Sequence, residues 1–228
     1  MKLTDLSPLL LLLALFHAIS ATISATNCGI PDSEEYCFGT RYNSSLVSKY
    51  PCGDSRLGPA RLPTKHDEEP VARVVGAILS DYNPFGGLCP GAFLEAWTNA
   101  TNGRWKYPPH NGFKLTWEPL DVMILPVGSL LDRFGDEGGK FLSPVGVQYR
   151  ERAIPPGNLA TRDADSAYPY NYHVYTVIKP LRVLSGRIEP WFGQPGDGVQ
   201  YKLDDDITVW SLVEDRYLQP ENALVRLP

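Results

Sequence analysis

The sequence predicts an α+β fold in which strand predominates. A small mixed or antiparallel sheet forms the core, and a loop-rich, disulfide-tied appendage precedes it. Three observations carry this expectation. The 228 residues include 20 Gly and 21 Pro, an excess of turn formers that excludes a helical bundle or coiled coil and favours short strands joined by ordered loops. All the cysteines (Cys28, Cys37, Cys52 and Cys89) lie in the first half of the chain. From about residue 111 onward, short β-branched and aromatic runs alternate with turn signals. Apolar residues make up 43% of the chain, which suffices for a packed core.

The first 25 residues read as a secretory signal peptide. Lys2 supplies a weak positive start, Leu9 to Phe16 an apolar run, and Ala18, Ser20, Ala21, Ser24 and Ala25 the small residues around a cleavage site. The run is too short to span a bilayer, which needs roughly 20 apolar residues. Export fits an even number of cysteines forming two disulfides, with three pairings open. The cysteines lack the histidine partners and short spacings of a zinc site. Two acceptor sequons, at Asn43 and Asn99, fit a glycosylated surface.

Residues 26–110 form an accessory region with turn clusters at Pro51-Cys52-Gly53-Asp54 and Pro84-Phe85-Gly86-Gly87, and a short helix over Ala92 to Trp97. Residues 111–228 form the second unit. Its expected strands are Val122–Val127, Val147–Arg150, His173–Ile178, Leu181–Leu184, Val199–Leu203 and Ile207–Leu212. Ser129 to Phe134 reads as a helical turn opening at Ser129, and Gly193 to Gly198 as a turn.

A net charge of −5 argues against a nucleic-acid binder that works by neutralising phosphates. There is no HExxH, no GxSxG, no Walker loop and no GxGxxG, which disfavours zincins, α/β-hydrolases and nucleotide-cofactor folds. The Asp204-Asp205-Asp206 run reads as a solvated turn or, more sharply, as a calcium site, with Glu214 and Asp215 as further candidates. Positive charge is organised locally at Arg133, Arg150 and Arg152. An arginine fork matches phosphate oxygens in pairs, and Phe134, Phe141, Trp191 and Phe192 could supply aromatic walls beside it.

Several segments then fall in order: Asp132-Arg133-Phe134-Gly135, Gly138 to Gly146, Glu151-Arg152-Ala153-Ile154-Pro155-Pro156, Tyr172-His173-Val174-Tyr175 and Trp191 to Tyr201. This series resembles the catalytic domain of the tuberculosis necrotizing toxin family. The whole chain is similar to a fungal secreted or cell-surface NADase of that family. The resemblance implies hydrolysis of the nicotinamide–ribose bond of NAD⁺, and of NADP⁺, to nicotinamide and the ADP-ribose product. NAD⁺ is then the substrate and no cofactor is required. A homodimer is compatible with the resemblance, and no membrane span or nucleic-acid partner is expected.

The resemblance also assigns roles. Arg152 would bind pyrophosphate or ribose oxygens, and Gln200 would orient the attacking water or the ribose. Arg133 would assist phosphate binding, and Phe134 and Phe141 would wall the nicotinamide pocket. Gln194 is the rival glutamine in the same turn, and His173 falls near a family histidine. Two other readings stand beside this one. One is an ADP-ribosyltransferase or cyclase on the same substrate, with Glu189, Glu214 or Asp197 positioning an acceptor. The other is a non-enzymatic surface binding protein.

Overall fold

A computed structural model describes residues 28–116, 120–161 and 167–221. The expected signal peptide lies outside the described residues. Seven strands make one sheet in the order β1-β5-β6-β3-β2-β4-β7. They are β1 (Asp121–Leu125), β2 (Leu130–Phe134), β3 (Phe141–Pro144), β4 (Tyr172–Val177), β5 (Leu181–Arg187), β6 (Val199–Lys202) and β7 (Leu218–Glu221). Every neighbouring pair is antiparallel. Four α-helices accompany the sheet among the described residues: α1 (Pro70–Ile78), α2 (Pro90–Trp97), α3 (Tyr149–Arg152) and α4 (Val209–Glu214).

Side chains alternate between the two faces of each strand, and each face has its own core. Leu131, Leu142, Tyr175, Val177 and Val183 pack on one face against Val209 and Leu212 of α4. Phe134, Tyr172 and Val174 pack on the other against Val75 and Ile78 of α1 and Tyr149 of α3. A third cluster joins the two parts of the chain. Phe192 lies among Phe93, Leu94, Cys37, Cys52 and Leu57, with edge-on ring contacts to Trp97, Trp105 and Tyr107. These contacts cross the boundary expected at residue 110.

Three expected elements take another form. Val147–Arg150 is not a strand, because α3 starts at Tyr149 and the Arg152 side chain folds back onto the Val147 carbonyl. Ile207–Leu212 is interrupted by α4, whose first turn is closed by a reciprocal Thr208–Ser211 capping box. Ser129 opens no helical turn: its amide and hydroxyl both bond back to the Pro126 carbonyl, closing the turn before it, and the residues after it pair along β4 as β2. The helix expected at Ala92 is present as α2, with Pro90 at its first position. Helix α1, also opened by a proline, was not expected within the accessory region.

The structure selects one disulfide pairing, Cys28–Cys89 and Cys37–Cys52. The second closes a loop with a sequence separation of 15. Replacing Cys37 and Cys52 together by Ala is expected to cost about 2–4 kcal/mol. The check is the midpoint of urea unfolding, and an unchanged midpoint would refute the expectation.

Candidate active site

A cleft of about 430 Å³ opens over the middle of the sheet, within the usual size of small-molecule sites. The register places its floor. Asp132 faces Ser143 across β2 and β3, Phe134 faces Tyr172 and Phe141 faces Lys202, so alternation sets these residues on the same side. Gln200, two residues before Lys202 on β6, shares that side. Ala153, Ile154 and Asn158 close one wall, and Tyr107, Pro108, Asn111 and Gly112 close the other. The second wall comes from the chain just before the sheet.

Arg152 and Asp132 form a buried ion pair, 5% and 0% exposed. The Arg152 Nη2 lies 2.7 Å from one Asp132 oxygen and donates to the other at 2.9 Å. Nε and Nη2 also donate to the Val147 carbonyl, and the guanidinium lies 5.1 Å from the centre of the Phe134 ring. Asp132 accepts further bonds from the Gly146 amide and the Tyr172 hydroxyl. Burial pushes the Asp132 carboxyl upward, while Arg152, the Gly146 amide and Tyr172 pull against that rise. The left-handed turn at Ala153 (φ 47°) ends α3 just after Arg152. The guanidinium is thereby fixed at the cleft edge, and its Nη1 makes no bond among the described residues.

Gln200 is 9% exposed. Its Nε2 donates to the Asn111 carbonyl at 3.0 Å, which leaves the amide oxygen as an acceptor towards the cleft. The segment that supplies this carbonyl is strained: His110, Asn111 and Gly112 all have positive φ, at 55°, 57° and 77°. A run of non-glycine residues in that region is costly and persists where surrounding structure imposes it.

Arg133 reaches the cleft from the opposite side of β2. Its Nε donates to the Asp136 carbonyl and its Nη1 to the Phe141 carbonyl. Burial draws its guanidinium downward, and Tyr175 and Asp136 oppose that shift. A Cβ at Gly139 would collide with the guanidinium, so the bare Cα of Gly139 is what lets Arg133 lie there. Gly139→Ala is expected to displace the side chain and to raise KM for substrate several-fold at nearly unchanged kcat. Steady-state kinetics checks this, and an unaltered KM would separate Arg133 from substrate binding.

The sequence pattern described as tuberculosis necrotizing toxin matches residues 124–220. A curated relative, the conidial surface nicotinamide adenine dinucleotide glycohydrolase nadA of Aspergillus fumigatus, is 42% identical over 213 residues, covering 88% of this chain and 86% of its own. The chain belongs to the tuberculosis necrotizing toxin family. The solved structure of the toxin with its immunity factor IFT matches with a TM-score of 0.51 at 22% identity, over 71% of this chain and 92% of the toxin chain, which shows a shared fold.

In this member of the tuberculosis necrotizing toxin family, the fold brings Arg133, Phe134, Phe141, Arg152 and Gln200 to one cleft. His173 and Gln194 are not among its lining residues. His173 pairs with Arg133 across β2 and β4, on the face opposite Phe134. There its ring stacks on Tyr168 at 4.1 Å and its Nε2 meets the Asn171 side chain at 3.3 Å. Gln194 donates to the Asn83 carbonyl, and beside it Gly193 and Gly86 are packed so closely that neither has room for a Cβ. Gln194 therefore clasps the 193–198 turn to the accessory region. Sequence reasoning passed over Asp132, Asn111 and Asn158. Asp132 stood within a quoted motif, but its partner lies 20 residues away, a spacing that carries no local signal.

The acidic run does not gather as a metal site. Asp204 pairs with Arg182 and Asp205 with Lys202, and Lys140 bonds the Asp205 carbonyl. Among the described residues, the group with metal-ligand spacing is Asp32 with Cys37 and Cys52, and both thiols are spent in their disulfide.

Proposed function

We propose that this protein is an NAD⁺ glycohydrolase that cleaves the nicotinamide–ribose bond, releasing nicotinamide and ADP-ribose. The observation that carries the proposal is the cleft itself. It sets a fixed guanidinium, an oriented amide oxygen and aromatic walls together, in a chain 42% identical to a relative named as such a glycohydrolase.

The chemistry asks little more. As the glycosidic bond breaks, its electron pair neutralises the pyridinium nitrogen, so nicotinamide departs without a general acid. Water adds to the ribose carbon and its proton passes to solvent. Gln200 would accept a hydrogen bond from that water or from the ribose, while Arg152 and Arg133 would hold the anionic oxygens. Catalysis then rests on positioning and preorganised charge. Among the described residues, the one carboxylate lining the cleft, Asp132, is fully buried and spent on Arg152. No carboxylate there among the described residues is placed to act as a nucleophile or to position a protein acceptor, which favours hydrolysis over ADP-ribosyl transfer.

The same reading extends to NADP⁺ as a second substrate and to a secreted, cell-surface protein. Its signal peptide would be removed near residue 25. It would carry glycans at Asn43 and Asn99, both exposed and each accepting a bond from a backbone amide two residues on. Incubating the purified, oxidised protein with NAD⁺ should release nicotinamide and ADP-ribose in equal amounts by chromatography. No release would sink the assignment. A transferred or cyclic product would redirect it.

A further inference from the structure

We infer that Ser143 is a further substrate-binding residue, whose hydroxyl engages a ribose hydroxyl next to the bond that breaks. The inference rests on the glycohydrolase reading above and deepens it. Ser143 is 5% exposed and lines the cleft. On one side it faces Asp132 directly. On the other, the register that sets Leu142 opposite Tyr201 carries Ser143 alongside Gln200. The hydroxyl thus stands in the row between the Asp132–Arg152 pair and the amide of Gln200.

Its neighbours are committed. Nη2 of Arg152 is held by Asp132 and Val147, and Nε2 of Gln200 by Asn111. The Ser143 hydroxyl makes no hydrogen bond among the described residues. The residue lines the cleft, so its hydroxyl is left to water or to a ligand there. A serine that spent its hydroxyl on the fold would have found the backbone or Asp132.

A hydroxyl is a neutral group that both donates and accepts. Its natural complement on a dinucleotide is another hydroxyl, and the riboses carry these. Bonds to the hydroxyl beside a carbon that gains oxocarbenium character strengthen in the transition state. Ser143 would therefore act on turnover as well as on binding.

Because the fold takes no bond from this hydroxyl, Ser143→Ala isolates its work on substrate. The variant should melt with the wild type and lose about 10–100-fold in kcat/KM on NAD⁺. The decisive comparison uses NAD⁺ analogues that lack the 2′- or the 3′-hydroxyl of the nicotinamide ribose. With the analogue missing the partner hydroxyl, wild type and Ser143→Ala should turn over equally. With the other analogue, the difference seen on NAD⁺ should persist. Full kcat/KM on NAD⁺ in Ser143→Ala would overturn the inference, as would an equal loss against NAD⁺ and both analogues. Failure of the wild type to release nicotinamide would instead remove the glycohydrolase reading itself.

Discussion

Arg152→Ala should abolish nicotinamide release and, in the same step, destabilise the protein. The substitution leaves Asp132 with no exposure to solvent and without its guanidinium. Breaking a buried pair on one side costs about 3–5 kcal/mol, which for a domain of this size lowers Tm by roughly 10 °C. Activity should fall at least about 100-fold, the scale of losing one preorganised electrostatic group. Stability and catalysis can be separated by a second variant. Asp132→Leu combined with Arg152→Met exchanges the pair for apolar volume and should recover much of the lost Tm, while activity stays absent. Calorimetry and an NAD⁺ assay on the same preparations check both halves. An Arg152→Ala protein with wild-type Tm would refute the structural half, and one with wild-type turnover would remove Arg152 from the site.

Gln200→Ala should behave in the opposite manner, silencing the protein without unfolding it. The amide makes one bond, to the Asn111 carbonyl, and that carbonyl belongs to a residue lining the cleft, where water can replace the lost donor. The expected loss of stability is about 1 kcal/mol or less. The expected loss in kcat is about 100-fold or more, as for removal of one oriented group at a reacting centre. KM should move little if the amide acts mainly on water. Gln194→Ala supplies the contrast. Its amide holds the Asn83 carbonyl away from the cleft, so Tm should fall and turnover by the folded fraction should persist. A reversed pattern between the two glutamines would exchange their roles.

The sheet was legible wherever a strand's own composition dominated. Tyr172–Val177 is buried along its whole length, and its β-branched and aromatic content marks it without help. Legibility failed where a side chain closed a turn in an unusual way. The box that opens α4 uses Ser211 at a position where a glutamate or glutamine is the familiar signal, so the Val and Trp beside it read as strand. The residues gathered in the cleft came from an ordered motif series, and the sheet register explains why they meet. The same register explains His173. A strand's period of two sends adjacent residues to opposite faces, and which face becomes the cleft depends on what packs above the sheet. That choice is made by α1 and α3, far from β4 in sequence.

The carbonyl that aims Gln200 is carried by Asn111, in a segment pinned at Trp105 and Tyr107 against Phe192 and, through that cluster, against both halves of the Cys37–Cys52 disulfide. Oxidation of two thiols is thereby linked to the pointing of an amide. Thiols persist in the cytosol and cystines outside it. A chain whose second wall leans on cystines would be less stable among the cell's own dinucleotides and would gain its full stability only after leaving them. Maturation and export would then be one timing device, with the catalyst completed at a distance from the pool it could otherwise consume.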